Sequence, residues 1–333
     1  MNKTKLAQTA KKLAARGKGI LAADESSGTI EKRFKDINLP STETNRRNWR
    51  ELLFTAPGLE KFISGVILFD ETIRQKASSG TAFAKLLKRK GVIPGIKVDQ
   101  KSHSLANFSE EEVTEGLDGL RDRLAEYAKL GAEFTKWRAV ITMGKGLPTD
   151  EAIGANAHAL ARYAALSQEA GLVPIVEPEV LMKGTHTIAA HEKASRRTLM
   201  IVFDELKKYR IYLPGMLLKT NMAASGLEAK AQASPRLVAQ ATIRLFRKTV
   251  PGSVPGIMFL SGGLSPEQAT VNLNAINKFS GRRMPWELSY SYGRALQGEA
   301  LEIWGGRPKN VAAAQRAFLD RAEKVASARE GQL

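Results

Sequence analysis

Lys219 lies in Leu217-Leu218-Lys219-Thr220-Asn221, a short run that otherwise reads as a buried strand. A lysine held among other cations on such a strand can lose its proton near neutral pH and attack a carbonyl as an amine. Other apolar runs end in similar fashion: Asp24 closes one, and Lys97 with Asp99, Lys136 with Arg138, and Glu177 with Glu179 close others. Residues two apart in extended chain share a face, so the members of each pair point the same way, as do Lys219 and Asn221. One ionised group on a buried strand is expensive, whereas several of both signs meeting at one point compensate each other. An amine, carboxylates to move protons and cations to steady negative charge together suit carbonyl chemistry through a Schiff base.

For these side chains to meet, their strands must end at one place. Apolar runs recur at roughly 25–45-residue spacing and alternate with stretches of helical period. The pattern predicts strands at Gly19–Asp24, Ile63–Asp70, Ile93–Asp99, Phe134–Ile141, Val173–Glu179, Met216–Asn221, Gly256–Ser261 and Glu287–Ser291. It predicts helices at Thr114–Leu130, Glu151–Ala170, Thr187–Lys208 and Pro235–Thr249. This α/β alternation argues for a closed (β/α)8 TIM barrel, whose strands all present their carboxyl ends at one mouth. An N-terminal segment and extra C-terminal helices (Asn310–Arg329) are expected to decorate it. No linker rich in Gly, Ser or Pro interrupts the chain, so residues 1–333 read as one domain.

Glycine turns follow the last two of these strands. Leu260-Ser261-Gly262-Gly263 leads into Ser265-Pro266-Glu267-Gln268, where Ser265 can cap a helix, Pro266 suits its first turn and Gln268 would complete a capping box. Ser291-Tyr292-Gly293-Arg294 ends the eighth strand. Exposed backbone N–H groups, a helix N-terminus and a bidentate arginine suit phosphate, and barrels often bind phosphate after strands seven and eight. Asp24-Glu25-Ser26-Ser27-Gly28-Thr29 would alone be a helix cap. Beside Lys97 its hydroxyls could hold a second phosphate, which points to a bisphosphate ligand.

Other chemistries are disfavoured. Gly17-Lys18-Gly19-Ile20-Leu21-Ala22 fits a dinucleotide pattern but precedes a strand instead of following one. His186 and His191, the only close pair among four histidines, read as surface residues on a loop and helix start, so catalysis without a metal or cofactor is expected. The absence of cysteine removes disulfides, thiolate nucleophiles and cysteine-bound zinc. No apolar run is long enough to cross a bilayer, and the basic segment Met1–Lys18 lacks a signal-peptide core, so a cytoplasmic location is expected. The 51 basic and 34 acidic residues give a net charge of +17. That field attracts polyanions, but it equally draws a small phosphorylated substrate. Basic pairs such as Arg196-Arg197 and Arg282-Arg283 are scattered, and Lys85–Lys90 reads as a solvated helix face.

Segments along nearly the whole chain, about Gly17 to Arg321, resemble one family. They include GKGILAADESSGTIEKRF (17–34), PGIKVD (94–99), FTKWRAV (134–140), VPIVEPEV (173–180), MLLKTNM (216–222), FLSGGLSPEQATVNLNAIN (259–277) and SYGRALQ (291–297). The family is class I fructose-1,6-bisphosphate aldolase, a metal-free lyase of glycolysis and gluconeogenesis. The resemblance implies reversible cleavage of fructose 1,6-bisphosphate to dihydroxyacetone phosphate and glyceraldehyde 3-phosphate, usually by a homotetramer. By motif, Lys219 would form the Schiff base. Glu177, supported by Glu179, would be its general acid/base. Asp24 would assist proton transfer at the C4 hydroxyl, and Lys136, with Arg138 beside it, would lower the nucleophile's pKa and steady negative charge. One phosphate would meet Ser261, Gly262, Gly293 and Arg294; the other would meet Ser26, Thr29, Arg33 and Lys97.

Two departures from the family pattern stand out. Many members end in a tail whose tyrosine helps exchange the C3 proton, whereas the last tyrosine here is Tyr292. Another group is then expected to serve that step, or the step is slow. Thr220 stands where the family commonly has proline, a change expected to have a modest effect. The competing readings are the same chemistry on sedoheptulose 1,7-bisphosphate, and a polyanion-binding surface protein.

Overall fold

Runs such as Ile63–Leu68 and Val173–Val176 are rich in β-branched residues and buried on both faces, which is the pattern of parallel strands between two layers. The computed structural model describes residues 1–281 and 284–333, so the pair Arg282-Arg283 lies outside the described residues. Its strands are β1 (Gly19–Ala23), β2 (Ile63–Leu68), β3 (Ile93–Lys97), β4 (Ser102–Ser104), β5 (Glu112–Thr114), β6 (Phe134–Ile141), β7 (Val173–Val180), β8 (Leu217–Thr220), β9 (Gly256–Phe259) and β10 (Glu287–Tyr292). All but β4 and β5 close a parallel barrel in the order β1-β10-β9-β8-β7-β6-β3-β2, ringed by helices. The expected (β/α)8 architecture is therefore present.

Helices Asp150–Glu169, Ile188–Lys208, Pro235–Thr249 and Val311–Arg329 lie within a residue of expectation. Thr149, Thr187 and Ser234 cap the first three, each hydroxyl accepting from the N–H three residues on. The helix expected from Thr114 instead begins at Leu120. Thr114 is taken by an antiparallel ladder opposite Ser102, and Gly116 and Gly119 adopt φ of +125° and +63°, which a helix cannot continue. Lys85–Lys90 is less free than expected: Lys88 pairs with Glu133, and Lys90 donates to the carbonyls of Thr55 and Ala56.

The barrel interior is filled by alternate residues: Ile20, Ala22, Ile67, Phe134, Val173, Ile175, Leu217 and Met258. Leu6, Ala10 and Leu13 of helix Lys3–Leu13, with Ala14, join this cluster. The basic N-terminal segment thus closes the amino end of the barrel with its apolar face rather than merely decorating the surface. Phe134 fits because Gly95 faces it on the neighbouring strand: a Cβ at residue 95 would lie 2.3 Å from the phenyl Cζ. With the amino end sealed by hydrocarbon, the same two-residue period carries each strand toward a polar mouth, where Asp24, Lys97, Lys136, Glu177 and Lys219 follow the interior residues.

Candidate active site

Register decides which of these charges become neighbours. Lys97 on β3 lies beside Lys136 on β6, and Arg138 lies beside Glu177 on β7. The Lys136 ammonium reaches Asp24 at 2.6 Å, Glu177 at 3.5 Å and Asp99 at 3.9 Å. Lys219 Nζ lies 3.1 Å from the other oxygen of Glu177. Lys97 Nζ pairs with Asp99 at 2.6 Å and donates to its backbone carbonyl at 2.8 Å. Three ammonium groups and three carboxylates therefore alternate around the mouth, which compensates charges that would be prohibitive singly. Arg138 pairs with Glu179 beside them, and its backbone N–H donates to Asp99 at 3.2 Å.

The electrostatics follow from this packing. Burial pushes the Asp24 carboxyl up, but Lys136 and then Lys219 outweigh it and hold the group down at about 2. Burial pulls the Lys136 ammonium down, yet Asp24, Glu177 and Asp99 more than offset that and raise it, so Lys136 stays charged. Lys219 is only 4% exposed and Glu177 3%. Glu177 Oε2 has no hydrogen-bond partner. The arrangement offers a buried amine in contact with one oxygen of a carboxylate whose other oxygen, Oε2, meets only the Lys136 ammonium at 3.5 Å, which sets Glu177 to exchange a proton with Lys219.

The glycine turns flank this network. Gly262 and Gly263 adopt φ of +58° and +88°, and Ser265 caps helix Pro266–Ser280 with Pro266 in its first turn. The expected capping box is incomplete: the Gln268 side chain donates to Asn272 at 3.0 Å instead of turning back to Ser265. Gly293 precedes helix Arg294–Trp304, and Arg294 is exposed at its start. On the β1 side the Ser26 and Thr29 hydroxyls bond each other at 3.1 Å. Ser26, half-buried, stands at a helix N-cap without a side-chain capping bond, and Thr29 beside it is exposed. Arg33 is held by Glu25, which also pairs with buried Arg50 at 2.8 Å. Arg33 Nη2 would lie 3.7 Å from a Cβ on Gly293, so Arg33, expected at the phosphate beside Ser26 and Thr29, also borders the Gly293 turn.

The mouth also contains groups that sequence reasoning left out of the site. Asp99 organises Lys97 and the Arg138 backbone. Buried Asn221 and Ser291 each keep a side-chain polar atom without a partner. The two-residue period after Lys97 and Lys219 was the available signal for Asp99 and Asn221. The surface reading of the histidines fails for His191. It is fully buried and stacked on His186 with ring centroids 5.4 Å apart, and a ring nitrogen lies 3.3 Å from the Val180 carbonyl. A cleft of about 580 Å³ lined by Lys145, His186, Lys193 and Arg197 lies outside the mouth and contains none of its charged groups.

Among the described residues no helix is long and apolar enough to cross a membrane. The family model for class-I fructose-bisphosphate aldolase matches residues 5–333. Cytosolic fructose-bisphosphate aldolase 4 of Arabidopsis thaliana is 51% identical over 95% of this chain and 80% of its own. A probable class 1 fructose-bisphosphate aldolase of Xylella fastidiosa is 51% identical over 97% of both chains. The structure of Plasmodium falciparum aldolase, solved with TRAP and a small-molecule inhibitor, superposes with a TM-score of 0.97 at 48% identity, covering 99% of this chain and 95% of that one. Matched from end to end in sequence and in barrel geometry, the chain belongs to the class-I fructose-bisphosphate aldolase family.

Proposed function

We propose that this protein cleaves fructose 1,6-bisphosphate reversibly through a Schiff base on Lys219, serving glycolysis and gluconeogenesis. The observation that carries the proposal is the buried Lys219 amine 3.1 Å from Glu177, within a network of alternating charges. Lys219 passes its ammonium proton to Glu177, and the amine so freed adds to the C2 carbonyl. Glu177 donates the proton with which the carbinolamine oxygen leaves as water, and an iminium forms. As the C3–C4 bond breaks, its electron pair moves toward the iminium nitrogen and yields an enamine. Asp24 assists removal of the C4 hydroxyl proton, so the first product, glyceraldehyde 3-phosphate, departs as an aldehyde. Protonation at C3 and hydrolysis then release dihydroxyacetone phosphate and restore Lys219. Lys136 stays charged throughout and steadies negative charge on the reacting oxygens, and Glu179 holds Arg138 beside it.

In this reading Ser261, Gly262, Gly293 and Arg294 bind one phosphate. Ser26, Thr29, Arg33 and Lys97 bind the other. Lys97 must exchange part of its contact with Asp99 for the phosphate. Family membership supports a homotetramer, and the cytosolic names of relatives support a cytoplasmic location. The test is incubation with dihydroxyacetone phosphate, borohydride reduction and mass spectrometry of the peptides. The expected result is one stable adduct on Lys219, lost in Lys219→Met. Folded protein that yields no lysine adduct would overturn the proposal.

A further inference from the structure

Asn221 follows Lys219 by two residues, just past the end of β8, and is 3% exposed, so its carboxamide stands at the barrel mouth near the amine. The Val180 backbone N–H, which can only donate, lies 2.9 Å from the amide oxygen. That contact fixes the orientation of the amide, because the reverse flip would set two donors against each other. Nδ2 is therefore turned the other way, toward the glycine turn after β9, and lies 3.1 Å from where a Cβ on Gly262 would be. It is buried and has no hydrogen-bond partner. A buried donor left unmade is costly, and this one faces a turn with left-handed backbone at Gly262 and Gly263.

We propose that Asn221 is a further substrate-binding group, with Nδ2–H donating to the anion that the Ser261–Gly262 turn holds. This rests on the proposed Schiff-base reading and deepens it. The group selects for a ketose bearing phosphate next to the reacting carbonyl, because the carboxamide follows the amine by only two residues, at the end of β8. A charge-assisted hydrogen bond of this kind accounts for about tenfold in affinity.

The experiment compares borohydride trapping of dihydroxyacetone phosphate with trapping of dihydroxyacetone, which reacts at the same lysine but carries no phosphate. In Asn221→Ala the half-saturating concentration of dihydroxyacetone phosphate should rise about tenfold, while that of dihydroxyacetone stays within about twofold. Equal losses for both ligands would mean that Asn221 only holds the strand end, and no loss for either would mean that it has no role; both results overturn the proposal. Asn221→Asp retains the acceptor for Val180 N–H but replaces the donor with an anionic oxygen, and it should bind dihydroxyacetone phosphate more weakly still. Undiminished binding by that variant would also overturn it. If the unmodified protein traps neither ligand, the Schiff-base reading fails, and calorimetric titration with dihydroxyacetone phosphate still decides the Asn221 question.

Discussion

Lys136→Met should destabilise the protein most at neutral pH and progressively less as the pH falls. Methionine preserves most of the side-chain volume, so the loss is chiefly one of charge. In the native network the ammonium groups of Lys97, Lys136 and Lys219 balance Asp24, Asp99 and Glu177. Removing Lys136 leaves three buried carboxylates with two cations. Breaking a buried pair from one side costs roughly 3–5 kcal/mol. Asp24 gives an independent scale: its folded value of about 2 lies below the ordinary 3.8, a gap worth on the order of 2 kcal/mol. Because that value is depressed, the stability it contributes is fully present above the unfolded value and is lost as pH falls from there to about 2. Without Lys136, the main cation opposing burial is gone and the carboxyl shifts upward. Relative to the parent the variant then gains on acidification, because both share the same His191 loss, and the gap between them narrows. Urea denaturation of both proteins at neutral pH and at about pH 5, with slopes compared to exclude a change in exposed area, measures this. A deficit that does not change with pH, or one below about 1 kcal/mol at neutral pH, would refute the reasoning.

Two further outcomes follow from the barrel's packing. Gly95→Ala drives a methyl group into Phe134 and should cost about 1–3 kcal/mol, seen as a lower Tm, with most of the loss recovered when Phe134→Leu is added. Burial holds His191 down at about 4, against an ordinary 6.5. The unfolded chain therefore takes up a proton between these values that the native state refuses, so stability falls as pH drops through that window, by about 3 kcal/mol. His191→Gln should flatten this slope; an unchanged slope in urea midpoints would refute the assignment.

Much of this site could be read in one dimension because strands translate a two-residue period into a direction. Phe134–Ile141 and Pro235–Thr249 form over the residues that the pattern indicates. The pairing of Lys97 with Asp99, Lys136 with Arg138 and Glu177 with Glu179 on shared faces also came from local spacing. Reading failed where a contact from far along the chain overrode local preference. Thr114 is a poor place to begin a helix once Ser102 pairs with it. Gln268 finds Asn272 one turn on rather than the cap that its spacing suggested. His191 is polar in composition but buried beneath the Val180 strand end.

The eight barrel strands, the polar residues at their ends and the face on which each side chain stands are legible along the chain, since these follow from local geometry. Only the closed barrel decided the rest. Its order and register bring Lys136 to Asp24, Glu177 and Asp99, turn the Asn221 amide toward Gly262, and bring Arg33 to Glu25 and beside Gly293. A strand's spacing sets direction, but a side chain's charge state and partners depend on neighbours tens of residues away, and these exist only once the sheet has closed.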